Sequence, residues 1–131
     1  LMERLVQEEF EVLLETNGSQ DLSKSALEIV KIMDMKCPGS GMTSAMRWEN
    51  FEWLNVRDQV KFVAGDRTDY EWARGIIQTQ DLPTRCQVLF SPVWGMLNPK
   101  TLAEWMLEDR LHARLQLQLH RYLWPGVERG V

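Results

Sequence analysis

The chain is poor in the side chains that hold transition metals. Its two cysteines, Cys37 and Cys86, lie far apart, with no further cysteine or histidine close to either. Zinc and iron–sulfur sites need three or four ligands, usually including a close-spaced pair, so no metal site is built from these residues alone. They read as free thiols in a reducing compartment. No apolar run is long enough to cross a bilayer, and no charged start followed by an apolar stretch marks a signal peptide. A cytoplasmic location is the expectation. An excess of positive charge is also missing: the formal net charge is -4, with both signs interspersed, which argues against direct contact with nucleic acid. Neither a glycine-rich phosphate loop nor a dinucleotide fingerprint occurs.

What is present is ordinary for a globular protein. The 131 residues are 44% hydrophobic and 26% charged, enough for one domain with a modest core. Residues 1–9 place Leu1, Leu5 and Val6 on one side at helical spacing. Strands are predicted over residues 10–14 and 30–35, the second ending at the Pro38-Gly39-Ser40-Gly41 loop. Residues 44–54 have helical periodicity, residues 59–64 are strand-like, and residues 67–78 present Tyr70, Ala73, Ile76 and Ile77 on one helical face. Leu82-Pro83 reads as a break, residues 87–90 as a strand, and Asn98-Pro99 as a helix start. Residues 114–119 alternate, with Leu115, Leu117 and Leu119 opposite Gln116 and Gln118, which predicts a last strand closed by His120.

This succession predicts an α/β fold, a mostly parallel sheet with crossover helices, in which open doubly wound sheets and barrels both remain allowed. The opening helix runs straight into a strand, as though a βαβ unit had begun earlier, and the first strand would leave an apolar edge. The chain is therefore expected to be part of a larger enzyme.

In parallel folds the chemistry gathers where strands end. Those ends carry Glu15-Thr16-Asn17-Gly18-Ser19, then Asp34 and Lys36, Gly65-Asp66, Ser91-Pro92, and His120-Arg121. Each has a plainer reading. Asn17-Gly18-Ser19 suits an ordinary turn. Lys36 suits a surface lysine paired with Asp34, Asp66 a helix cap, and His120 a structural histidine. Trp48, Trp53, Trp72 and Trp105 suit packing inside helices. Ser91 and His120 are placed to meet across neighbouring strands, but the serine lacks the Gly-x-Ser-x-Gly elbow of a hydrolase.

Several blocks, in order, resemble one family. Leu14-Glu15-Thr16-Asn17-Gly18-Ser19, Met33-Asp34-Met35-Lys36-Cys37-Pro38, Val60-Lys61-Phe62-Val63 through Gly65-Asp66-Arg67, Val88-Leu89-Phe90-Ser91-Pro92-Val93 and Leu115-Gln116-Leu117-Gln118-Leu119-His120 resemble the second half of the radical S-adenosylmethionine 7-carboxy-7-deazaguanine synthases. The resemblance implies that residues 1–131 are the C-terminal portion of a partial (β/α) barrel. It implies a [4Fe-4S] cluster, S-adenosylmethionine and Mg2+ in the full-length protein, and a homodimer. The implied reaction converts 6-carboxy-5,6,7,8-tetrahydropterin to 7-carboxy-7-deazaguanine with loss of ammonia, after a 5′-deoxyadenosyl radical abstracts hydrogen.

Carried over by position, Glu15, Thr16, Asn17, Asp34, Met35 and Lys36 would contact S-adenosylmethionine. Ser91, Pro92, Val93 and the carboxylate of Val131 would contact the pterin. Arg121 departs from the lysine expected there. The cluster-binding CxxxCxxC and the Gly-Gly-Glu-Pro strand of the family are not in this sequence, so the chain alone is expected to be inactive. The alternatives are a non-catalytic α/β binding or interaction module derived from the same fold, and a split enzyme whose cluster half is encoded separately.

Overall fold

A computed structural model describes residues 1–19, 21–23, 28–41 and 46–126. Its sheet has five strands: β1 (Leu13–Thr16), β2 (Val30–Lys36), β3 (Gln59–Ala64), β4 (Gln87–Pro92) and β5 (Arg114–Leu115). All pair in parallel, in the order of the chain. The described helices are α1 (Met2–Gln7), α2 (Arg67–Thr79), α3 (Leu82–Arg85), α4 (Pro99–Glu108) and α5 (Leu119–Leu123).

Sequential order has a consequence for the faces. Right-handed crossovers that always step the same way leave their helices on one side of the sheet. The core follows this rule. Met33 and Met35 of β2, Val60 and Phe62 of β3, and Phe90 of β4 cluster with Tyr70 and Ile77 of α2 and Leu102 of α4. The alternate residues Ile32, Asp34, Lys36, Lys61 and Val63 are only half-buried. A doubly wound sheet is covered on both faces and reads as continuous apolar strands. Here β2 and β3 alternate because their second face carries no described helix. β4 is buried throughout except at Gln87.

Local chemistry starts the long helices where the sequence predicts. The side chain of Asp66 accepts from the backbone N–H of Asp69 at 2.9 Å, capping α2. Asn98 does the same for Lys100 at 2.9 Å, with Pro99 in the first turn of α4. Tyr70 ties the two helices together, its hydroxyl donating to Asp109 Oδ2 at 2.6 Å.

Elsewhere the structure departs from expectation. α1 buries no residue, so the apolar side of residues 1–9 covers no core here. The first strand pairs only from Leu13, and Phe10 is exposed. Within the predicted helix 44–54, residues 44 and 45 lie outside the described residues, and Trp48–Trp53 is a 3-10 helix. Asn50 pulls this segment inward: it accepts from Leu22 N at 3.0 Å and donates to Gly18 O at 3.1 Å. Trp48 and Trp53 consequently stay 43% and 45% exposed instead of packing in the core. Leu82-Pro83 opens the one-turn α3.

The last strand is also shorter than predicted. The ladder stops after Gln116 N donates to Phe90 O at 2.8 Å. β4 ends at Pro92, which has no N–H to continue the pairing. Leu115 and Leu119 are exposed, and His120 lies inside α5 rather than at a strand end. Among the described residues, no helix is long and apolar enough to cross a membrane.

Candidate functional site

Three clefts run along the carboxyl ends of the strands. The first, about 580 Å³, is lined by Glu15, Thr16, Asn17, Ser19, Asp34 and Lys61. The second, about 450 Å³, is lined by Asp34, Lys36, Lys61, Gly65, Val93 and Gln118 among others. The third, about 520 Å³, has Pro92, Trp94, Met96, Leu117, Gln118 and Tyr122 in its wall. Asp34 and Lys61 separate the first two, while Met96 and Gln118 are shared by the second and third. The clefts form one continuous rim.

At the β1 end the chain turns tightly. Gly18 has φ 76, and its N–H donates to Thr16 Oγ1 at 3.1 Å. Ser19 donates to Asn17 Oδ1 from both its N–H, at 3.0 Å, and its hydroxyl, at 2.6 Å. The turn reading of this segment therefore holds, and the same residues face the cleft. The turn consumes the amide oxygen of Asn17 and leaves its amide N–H donors to a ligand.

Asp34 sits at the junction. Its Oδ2 accepts from Lys36 Nζ at 3.0 Å, as the plainer reading expects. Its Oδ1 is buried and has no hydrogen-bond partner among the described residues, an arrangement that costs free energy unless a ligand or water completes it. The Met35 side chain is fully buried in the core on the opposite face, so it can offer the rim only its backbone.

The candidate substrate residues separate. Pro92 lines the third cleft and Val93 the second. Ser91 is 1% exposed, with an unpartnered Oγ among the described residues. It shares no hydrogen bond with His120, so the sequence gives this pair adjacency that the fold does not use. Val131 lies outside the described residues.

Two important groups escaped the sequence reading. Asp69, 4% exposed, accepts from Gly39 N through Oδ1 and from Gly65 N through Oδ2, both at 2.9 Å. One carboxylate thus ties the loop after β2 to the loop after β3. Its signal was Asp66-x-x-Asp69, a capping pattern whose second acid reaches back past the helix start. The other group is Lys61, visible as a cation interrupting Val60-Lys61-Phe62-Val63 in phase with Asp34, its partner in the β2–β3 register.

The chain has named sequence relatives. A 7-carboxy-7-deazaguanine synthase from Koribacter versatilis is 39% identical over 143 aligned residues, covering 99% of this chain. Another, from Chlorobaculum tepidum, is 42% identical over 123 residues and covers 92% of the chain. The chain is homologous to the 7-carboxy-7-deazaguanine synthases. It spans 63% of the length of the first relative and 56% of the second. No family model and no solved structure matches it.

For a homologue of 7-carboxy-7-deazaguanine synthases, an iron–sulfur cluster has to be tested against the residues present, and they do not fit it. Burial, reinforced by Asp69 and Asp34, pushes the Cys37 thiol up to about 12. Burial followed by Asp58 does the same at Cys86, also to about 12. Cys37 lies just past the carboxyl end of β2 and Cys86 just before the amino end of β4, both buried, and two such thiols do not supply the three or four thiolates a cluster takes. Among the described residues no three His, Cys, Asp or Glu converge on a metal position. S-adenosylmethionine is a different case: the unpartnered Asp34 Oδ1, Glu15 and the amide of Asn17 suit its hydroxyl and ammonium donors and its adenine acceptors.

Proposed function

We propose that the protein is a 7-carboxy-7-deazaguanine synthase of the radical S-adenosylmethionine type, a carbon–nitrogen lyase. It converts 6-carboxy-5,6,7,8-tetrahydropterin to 7-carboxy-7-deazaguanine with release of ammonia. On this reading the five strands are part of a (β/α) barrel whose open face is the lumen. The cluster ligands are contributed by residues outside this sequence, the protein works as a homodimer, and Mg2+ assists.

The observation that carries the reading is the continuous polar rim, built on the open face of a sequentially ordered parallel sheet in a chain homologous to those enzymes. When bound, S-adenosylmethionine supplies the adenosyl group that abstracts hydrogen. Glu15 and Asp34 accept from its donors, and Asn17 donates to it. Lys36 holds Asp34 in place at 3.0 Å. Pro92, Val93 and the aromatic wall of Trp94 and Tyr122, whose rings are 4.9 Å apart in a T-shaped arrangement, flank the pterin and limit water around it.

The test is anaerobic reconstitution of the protein expressed from its full reading frame, followed by incubation with the tetrahydropterin, S-adenosylmethionine and a reductant. 7-Carboxy-7-deazaguanine and ammonia are expected in equal amounts. Reconstituted protein that binds neither S-adenosylmethionine nor the pterin would sink the proposal.

A further inference from the structure

The rim holds two lysines, and among the described residues one of them is paired with an acid. Lys36 Nζ is paired with Asp34 Oδ2 at 3.0 Å. Lys61 stands beside Asp34 in the β2–β3 register and lines both of the first two clefts. Among the described residues it forms no ion pair with Asp34 or any other acid. It is half-buried on the open face of the sheet. Next to it, Asp34 Oδ1 is a buried acceptor without a donor. A free cation and a free acceptor side by side in one cleft are complementary to a ligand that carries a carboxylate together with an N–H or O–H donor.

We propose that Lys61 binds the carboxylate of a ligand in this rim, and that Asp34 Oδ1 accepts a hydrogen bond from the same molecule. The inference rests on the proposed function and deepens it. Two ligands in that reaction carry such a carboxylate, the pterin on its ring and S-adenosylmethionine on its amino-acid end. Lys61 is a binding residue on this view, a role the resemblance does not assign to it.

The experiment measures binding by calorimetry for the protein expressed from its full reading frame. Two ligand pairs separate the sources: 6-carboxypterin against pterin, and S-adenosylmethionine against its decarboxylated form. Lys61→Gln should weaken one carboxylate ligand by about ten- to a hundredfold, the loss expected for a charge-assisted hydrogen bond. The partner lacking the carboxylate should bind the variant as it binds wild type. Lys61→Arg should recover most of the affinity, and Lys61→Met, which keeps the alkyl stem, should behave like Lys61→Gln. The pair that responds identifies the ligand.

If the wild type discriminates within a pair and both neutral variants bind all four ligands as the wild type does, the Lys61 assignment is overturned and the proposed function stands. Equal loss for carboxylate and non-carboxylate members also overturns it. A wild type that binds none of the four overturns both readings together.

Discussion

Lys31 and Asp58 form an ion pair sealed from water: Nζ lies 3.2 Å from Oδ2, and the side chains are 1% and 0% exposed. Asp58 accepts in addition from Lys31 N at 2.8 Å and from Asn55 N at 2.8 Å, while its carbonyl accepts from Gln87 N at 3.0 Å. One acid therefore joins the amino ends of β2, β3 and β4, at the end of the sheet opposite the rim.

Removing one partner of this pair leaves a buried charge uncompensated. Lys31→Met is expected to cost about 3–5 kcal/mol of stability, read from urea unfolding. Adding Asp58→Asn should recover part of the loss, because the orphaned charge goes with it. A single variant within about 1 kcal/mol of wild type would show that the pair contributes little.

Asp69 makes a sharper case, because both of its oxygens accept from backbone N–H groups. An amide can accept at one position only and turns a donor toward the other N–H. Asp69→Asn should therefore lose about 1–3 kcal/mol and, on the proposed function, weaken S-adenosylmethionine binding as well by loosening the loops at Gly39 and Gly65. A stability loss with unchanged ligand affinity would limit Asp69 to a structural role.

The thiols predict both reactivity and pH dependence. Native protein at pH about 8 should resist iodoacetamide at Cys37 and Cys86, since the reactive species is the thiolate, and both should label after unfolding. Burial pushes both thiols up to about 12 from the ordinary thiol value of 9.0, so the unfolded chain releases these protons first. Their contribution to stability is complete below pH 9.0 and is lost as pH rises toward about 12. Burial and the hydrogen bond to Asp109 raise Tyr70 in the same sense. Melting temperature should fall over this alkaline range, and less steeply in a Cys37→Ala/Cys86→Ala double variant. Fast native labelling at pH about 8 would contradict the burial of these groups.

Much of the fold was legible because its signals are local. The alternation in residues 59–64, the Asp66 cap and the Asn98-Pro99 start all work through neighbouring residues, and each appears where predicted. The strand over residues 114–119 failed for a non-local reason. Its alternating leucines are genuine, but pairing also requires a donor on β4, and Pro92 removes it. The tryptophans at 48 and 53 failed similarly: the segment's position follows from Asn50 bonding to residues 28 and 32 positions away in the chain.

The candidate site divides along the same line. The sequence alone determined which strand ends carry polar groups, and it offered the pairing of Lys36 with Asp34 as one of two readings, which the structure shows at 3.0 Å. The tertiary structure decided that Glu15, Asp34 and Lys61 share one cleft, that Met35 turns away from it, and that Asp69 ties two loops together. Sheet register and the stepwise order of the strands set these relationships. Both arise from hydrogen bonds between segments distant in the chain, which periodicity within any one segment does not encode.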